Sequence, residues 1–184
     1  MKDMKDRIIE AAVYEILHNG LKFSIREVSA RAGISTKTLY QYFESKEQII
    51  NEMVEQSIVE MKEKERALLS GSSLTIRQKL KDALVVLPGG FAFGDIRILN
   101  DLKKRYPSQW AKIDNYLNEG WDNIRLLVSE GVSEGEIRSF DMELFIQVYV
   151  GALYHLMENQ MAGRSGRTLE ESLASMVELL LEGI

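Results

Sequence analysis

The chain has 184 residues, 45% of them hydrophobic and 28% charged, with a formal net charge of -5, two prolines, thirteen glycines and no cysteine. That length suits one compact domain or a small module joined to a larger one, and the composition excludes collagen-like, low-complexity and disordered chains. Zero cysteines exclude a disulfide framework, a thiol nucleophile and a thiolate zinc site, and the negative balance taken as a whole argues against a general polyanion binder.

The amino terminus mixes both signs of charge and has no continuous apolar stretch, so it is not a secretory signal. The longest uncharged runs, such as residues 83–87, fall far short of the roughly 20 residues that span a bilayer, so a cytoplasmic protein with no membrane partner is expected. Ile9, Ala12, Val13, Ile16 and Leu17 recur along one helical face, and Gly20 follows as a stop. Ser24 and Glu27 form a capping-box pattern that opens a second helix, which Gly33 ends. Ser35 caps a third helix carrying Thr36 to Phe43. Ser45 to Gln48 repeats the capping pattern for a long fourth helix that runs to about Leu69. Thr75 to Gln78 opens a fifth, ending at Pro88-Gly89-Gly90. Further helices are predicted over 95–105, 108–130, 141–162 and 169–182, separated by Pro107, by the segment from Gly131 to Gly135 and by residues 163–166. The fold class is all-α, with about nine helices: an amino-terminal helix-turn-helix domain over 1–50 and a helical effector-binding and dimerisation domain over 51–184.

The segment from Phe23 to Glu47 carries the most information. Two short helices joined by a tight glycine turn make a helix-turn-helix, whose second helix is sized for the DNA major groove. Ile25, Val28 and Ala32 share an inner face with Leu39 and Phe43, and Ile34 plugs the angle between the two helices. Thr36, Lys37, Thr38, Tyr40, Gln41 and Tyr42 remain outside, as donors and acceptors suited to base edges and phosphates. From Gly20 to Lys46 five basic residues face two acidic ones, whereas residues 51–184 hold 15 basic and 21 acidic side chains. A basic reading unit beside an acidic body attracts DNA where it docks and repels it elsewhere.

Residues 7–50, RIIEAAVYEILHNGLKFSIREVSARAGISTKTLYQYFESKEQII, resemble the amino-terminal DNA-binding domain of the TetR family of bacterial transcriptional regulators. The resemblance lies at Ala11-Ala12, Gly20, Ser24 to Val28, Ala32 to Ser35, Thr38 to Tyr40, Tyr42-Phe43 and Ser45 to Glu47, about a quarter of the chain. The turn from Gly131 to Arg138 is similar to the one that often precedes the last two helices of that family. The resemblance implies base contacts from Thr36, Lys37 and Thr38, and phosphate contacts from Tyr40, Tyr42 and Lys46. Arg26 would reach a base or a phosphate. Lys37 stands where the family often has a small residue or proline, and Gln41 occupies a variable position. These two are the candidates for sequence choice, Lys37 toward guanine and Gln41 toward adenine. Tyr40 packing on the core and Arg26 as a solvated charge are the bland alternatives.

The resemblance further implies a homodimer on a palindromic operator, formed by the last two helices of each copy. Gly151 and Ala152 would allow close approach, and Leu153, Leu156, Met157, Met176, Leu179 and Leu180 would supply apolar area. The same stripes could instead face the monomer's own core. An effector pocket in the middle helices would draw on Phe91, Phe93, Trp110, Tyr116, Trp121, Tyr149, Tyr154 and His155. Aromatics with polar tips suit a small amphipathic or aromatic molecule, although ordinary core packing uses the same residues. No cofactor and no metal are expected, with only two histidines in the chain, and no paired-carboxylate, Ser/His/Asp or phosphate-loop pattern marks an enzyme. The reading is a ligand-responsive repressor. A DNA-bound adaptor controlled by a protein partner, with no pocket, is the alternative, and an all-α enzyme a more distant one.

Overall fold

A computed structural model describes residues 3–71, 74–86, 96–161 and 166–182. These contain ten α-helices, one 3-10 turn and no strand: α1 (Met4–Asn19), the 3-10 turn (Gly20–Lys22), α2 (Ile25–Arg31), α3 (Thr36–Tyr40), α4 (Lys46–Ser70), α5 (Ile76–Leu84), α6 (Ile96–Arg105), α7 (Pro107–Glu119), α8 (Asp122–Ser133), α9 (Met142–Met161) and α10 (Leu169–Glu182). The caps form where the sequence places them. Ser24 and Thr75 each accept from the third amide of the helix they open, and Glu27 and Gln78 reach back to complete both boxes. At α4 the pattern shifts by one residue: Ser45 Oγ accepts from the Gln48 amide at 3.1 Å, but Gln48 Oε1 accepts from the amide of Glu44.

The expected helix over 108–130 is two helices. The Trp121 indole Nε1 donates to the carbonyl of Leu117 at 2.8 Å, taking the acceptor that a continuing helix would offer to its own amide, and α8 starts afresh at Asp122. Gly131, expected as a breaker, lies inside α8. A Cβ there would stand 2.7 Å from Ile137 Cδ1 and 2.9 Å from Ile76 Cγ2, so the missing side chain lets α5 and the segment after α8 close on the helix. The helix opened at Thr75 ends at Leu84, and the glycines expected to stop it lie outside the described residues.

Two compact units emerge. In the first, residues 3–58 with 96–113, Ile8, Ile16, Val28, Leu39, Phe43, Ile49, Ile50, Leu99 and Leu102 are buried. α1 packs on α2, α2 on α3, and α6 on the 3-10 turn. A recess of about 270 Å³ is lined by Ile16 to Gly20 together with Arg97, Ile98 and Asp101. The second unit, residues 59–86, 114–161 and 166–182, packs α5 on α8 and α10 on both α9 and α5. Its core includes Leu80, Trp121, Leu127, Tyr149, Leu153, Leu173 and Val177. Lys81 pairs with Glu178 at 3.0 Å, and Arg77 donates to the carbonyl of Leu181. The unit that carries the helix-turn-helix thus takes in more chain than residues 1–50. No helix among the described residues is long and apolar enough to cross a membrane.

Candidate DNA-binding face and effector region

The helix-turn-helix is held from inside and from behind. Leu39 and Val28 are fully buried and Phe43 nearly so, while Ile34 is half-buried in the turn. Gly33 adopts φ +66°, the left-handed conformation that lets α2 stop and α3 start within four residues. Arg7 Nη2, from α1, donates to the carbonyl of Ala32 at 2.8 Å and braces that turn. Arg31 bonds Glu15 at 2.5 Å while its guanidinium lies 3.3 Å from the centre of the Tyr14 ring, and Asn19 donates to the other Glu15 oxygen at 2.8 Å. Glu15 is buried, so this charged bracket between α1 and α2 is both paired and hydrogen-bonded. At the start of α2 the bonds from Ser24 hold the Glu27 carboxyl below its usual range.

What remains outside is the reading surface. Thr36, Lys37, Gln41 and Arg26 are exposed, Tyr40 is 52% exposed and Tyr42 is 37% exposed, so neither tyrosine packs into the core. The third helix ends at Tyr40, with Gln41 and Tyr42 carried on two tight turns bonded to Thr38 and Leu39. Two residues stand differently from the rest. Ser35 caps the Thr38 amide and lies 2.9 Å from the Thr38 hydroxyl, which is therefore half-buried in a local bond. Lys46 Nζ donates to the carbonyls of Leu21 at 2.6 Å and Phe23 at 2.5 Å and sits 4.2 Å from the centre of the Phe23 ring. Burial, with a smaller push from Arg105, lowers its pKa. The ammonium expected as a phosphate grip thus clamps the 3-10 turn to the start of α4, with one N–H left over.

In the second unit, Trp121 meets Tyr149 edge-on at 5.1 Å and Phe145 at 6.5 Å, and Phe145 lies 5.3 Å from Phe140. Tyr149 is anchored by a 2.6 Å bond from its hydroxyl to the carbonyl of Leu84, and burial raises its pKa. Tyr116 is half-buried; burial, helped by the charge of Glu65, pushes its pKa up to about 12. Glu65 itself is 5% exposed, and its Oε1 has no hydrogen-bond partner among the described residues. Burial raises its pKa, against a side-chain bond to Asn123 and the charge of Lys62. Nothing in the composition singled Glu65 out, because a glutamate on a long charged helix reads as solvent-facing. Tyr154 donates to Asp114 at 2.6 Å.

The eight aromatic and histidine candidates for the effector therefore part company. Tyr116, Trp121, Tyr149 and Tyr154 belong to the second unit; Trp110 belongs to the first, where Lys103 Nζ lies 5.5 Å from its ring. His155 is exposed and bonded to Asn159 at 2.9 Å, and Phe91 and Phe93 lie outside the described residues. Among the described residues no group of three or more histidines and acids could hold a metal ion.

The dimer candidates divide as well. Leu153 and Met157 are buried within the protomer; Ala152, Leu156, Met176 and Leu180 are half-buried, and Gly151 is exposed. Leu179 is 71% exposed. Leu144 and Val148, absent from the expected set, are 56% and 46% exposed, and they fall in line with Gly151 and His155 at four- and three-residue steps along α9.

The model of the bacterial regulatory proteins of the tetR family matches residues 8–53. An uncharacterised HTH-type transcriptional regulator of Bacillus subtilis strain 168, YvaF, is 32% identical over 181 residues, covering 98% of this chain and 95% of that protein. The chain belongs to the TetR family. It is accordingly a DNA-binding transcriptional regulator with an amino-terminal helix-turn-helix. The fatty acid metabolism regulator protein of the same organism is 30% identical over 191 residues, covering 97% of this chain and 94% of that one. Among solved structures, the regulator FadR from Bacillus subtilis in complex with stearoyl-CoA shares the fold, with a TM-score of 0.63 at 22% identity over 97% of this chain and 98% of that one. Lys46 and Thr38 have polar groups engaged within the domain. Thr36, Lys37, Tyr40, Gln41, Tyr42 and Arg26 remain as the outward-facing groups.

Proposed function

We propose that this regulator is a homodimeric repressor that binds a palindromic operator through α3 and is released by a small amphipathic effector held in the helical second unit. The observation that carries the DNA half is the exposed set Thr36, Lys37, Tyr40, Gln41 and Tyr42, carried on and just after a helix that is capped, plugged and braced on its other sides. Lys37 and Gln41, both exposed, are the residues assigned to sequence choice, Lys37 by donation to guanine and Gln41 by paired bonds to adenine. Homodimerisation is supported by the exposed apolar residues Leu144 and Val148 on α9 and Leu179 on α10, with Leu156, Met176 and Leu180 half-buried on the same two helices.

A fatty-acyl effector is favoured by the similarity to a fatty acid metabolism regulator, and the stearoyl-CoA complex of a protein with the same fold makes that compound the first to test. The helix α4 continues without a break from Lys46, directly after the reading head, to Ser70, so a ligand that tilts it alters the separation of two recognition helices. Half-sites lie about 34 Å apart on a stiff duplex, and a shift of a few ångströms spoils simultaneous docking.

Footprinting on DNA flanking its own gene, with and without stearoyl-CoA, tests both halves. The expected result is a protected two-fold site whose affinity falls by about 5- to 150-fold with ligand. Equal affinity with and without ligand would remove the acyl-CoA reading. Absence of any protected palindrome would remove the operator reading.

A further inference from the structure

Residues 96–113 hold five basic side chains, Arg97, Lys103, Lys104, Arg105 and Lys112, against one acid, Asp101. They belong to the same compact unit as the reading head, while the described residues of the second unit hold seventeen acidic side chains against nine basic ones. Three of the five end α6 in succession: Lys103, Lys104 and Arg105, all exposed. One or two cations would be enough to complement the carbonyls at a helix carboxyl terminus.

Their position follows from α7. Gln109 Nε2 donates to Glu47 Oε1 at 3.2 Å, and Lys112 Nζ donates to Asn51 at 2.7 Å and also to Glu55. The start of α7 therefore runs alongside the start of α4 in the same direction, which sets the junction of α6 and α7 beside the first turn of α4. The charge of Arg105 is felt at Lys46, the first residue of that turn, with Glu27 acting in the opposite sense. Only five residues, Gln41 to Ser45, separate α3 from that turn, at most about 17 Å of chain. A duplex seated on α3 therefore brings its backbone near this turn. The basic groups there are weakly engaged. Lys103 lies 5.5 Å from the Trp110 ring, Arg105 reaches Asp101 only at 3.9 Å, and Lys104 has no ion-pair partner among the described residues.

We propose that the Lys103-Lys104-Arg105 turn of α6 is a second grip on the DNA backbone, holding phosphates beyond those reached by the helix-turn-helix. The proposal rests on the DNA-binding reading of the first unit and adds to it a contact that carries no sequence preference. Lys46 is tied to Leu21 and Phe23, and this turn supplies cations in its place at the start of α4.

Binding of a labelled random-sequence duplex, followed by fluorescence anisotropy between about 50 and 200 mM salt, tests it without knowledge of the operator. The proteins compared are the full chain, the triple variant Lys103→Gln/Lys104→Gln/Arg105→Gln, and Lys104→Gln alone, a side chain whose loss breaks no ion pair within the described residues. Each lost phosphate contact lowers the slope of log K against log salt by about 0.9 per bound protomer, and the triple variant binds roughly 10- to 100-fold more weakly near 100 mM salt. Lys37→Ala, at the base-reading position, leaves the slope within about one unit of the parent. A triple variant with the parent's slope overturns the proposal, whether its affinity is retained or lost, because a damaged fold weakens binding without removing phosphate contacts. A parent chain that shows no salt-dependent binding at all fails at the DNA-binding reading itself, a separate and recognisable result.

Discussion

Lys46 and Glu65 lie on the same helix and look alike in sequence, each a charged residue in a charged run, yet the fold draws both inward. Lys46 is offset by two carbonyls and an aromatic face. Glu65 is offset only in part, by Asn123 and the charge of Lys62: its Oε1 is buried without a hydrogen-bond partner among the described residues. An unsatisfied buried acceptor costs about 1 to 3 kcal/mol, and more when it is charged. Its raised pKa fixes the pH dependence. Below the unfolded value of about 4.3 the carboxyl is protonated in both states and carries no penalty, and stability is then lost as pH rises through the folded value. Glu65→Gln keeps the shape and removes the charge. The variant should therefore melt higher than the parent near pH 7.5, with the difference fading toward pH 4, in thermal scans at both pH values. A variant less stable than the parent at the higher pH would show that the carboxylate is compensated. Neither residue's burial was legible beforehand, because it depends on Leu21, Phe23, Tyr116 and Asn123, which are distant in the chain.

At the level of elements, legibility follows the range of the interaction. Ser24 with Glu27, Ser35 with Thr38 and Thr75 with Gln78 act within one turn, so the sequence reading places those helix starts to the residue. The exceptions each have a tertiary cause or a competing bond. Trp121 diverts a carbonyl and divides α7 from α8, and Gly131 lies inside α8 at a point where Ile76 and Ile137 occupy the space a side chain would need. Gly131→Ala should accordingly be an overpacking mutation that costs about 1 to 3 kcal/mol, read as a lower denaturation midpoint with unchanged slope. A neutral or stabilising result would mean that α5 moves away without loss. The same residue on a solvent-facing turn of α8 would be a modest gain for alanine, since glycine is the poorer helix former.

For the whole molecule, the exposed apolar residues Leu144 and Val148 of α9 and Leu179 of α10 decide the assembly we propose. Val148→Arg would place an unpaired charge in that contact, at a cost of roughly 3 to 5 kcal/mol, a hundredfold or more in the dimerisation constant. Light scattering should then find the monomer mass at concentrations where the parent has twice that mass, with operator binding lost alongside. An unchanged dimer would move the interface elsewhere. The net charge illustrates the same division between sequence and fold. A chain average of -5 conceals a basic reading head, and a second basic cluster, residues 96–113, joins that head only through packing that sets α6 on the 3-10 turn and α7 beside α4. Helical class, the helix-turn-helix and its outward row from Thr36 to Tyr42 were determined by the sequence itself, since caps, periodicity and a positive-φ glycine act over a few residues. Which lysine is clamped, which glutamate is stranded, which leucines face the protomer's own core and which basic turn stands beside α4 were decided by tertiary structure. Burial and long-range pairing depend on partners that local pattern does not specify.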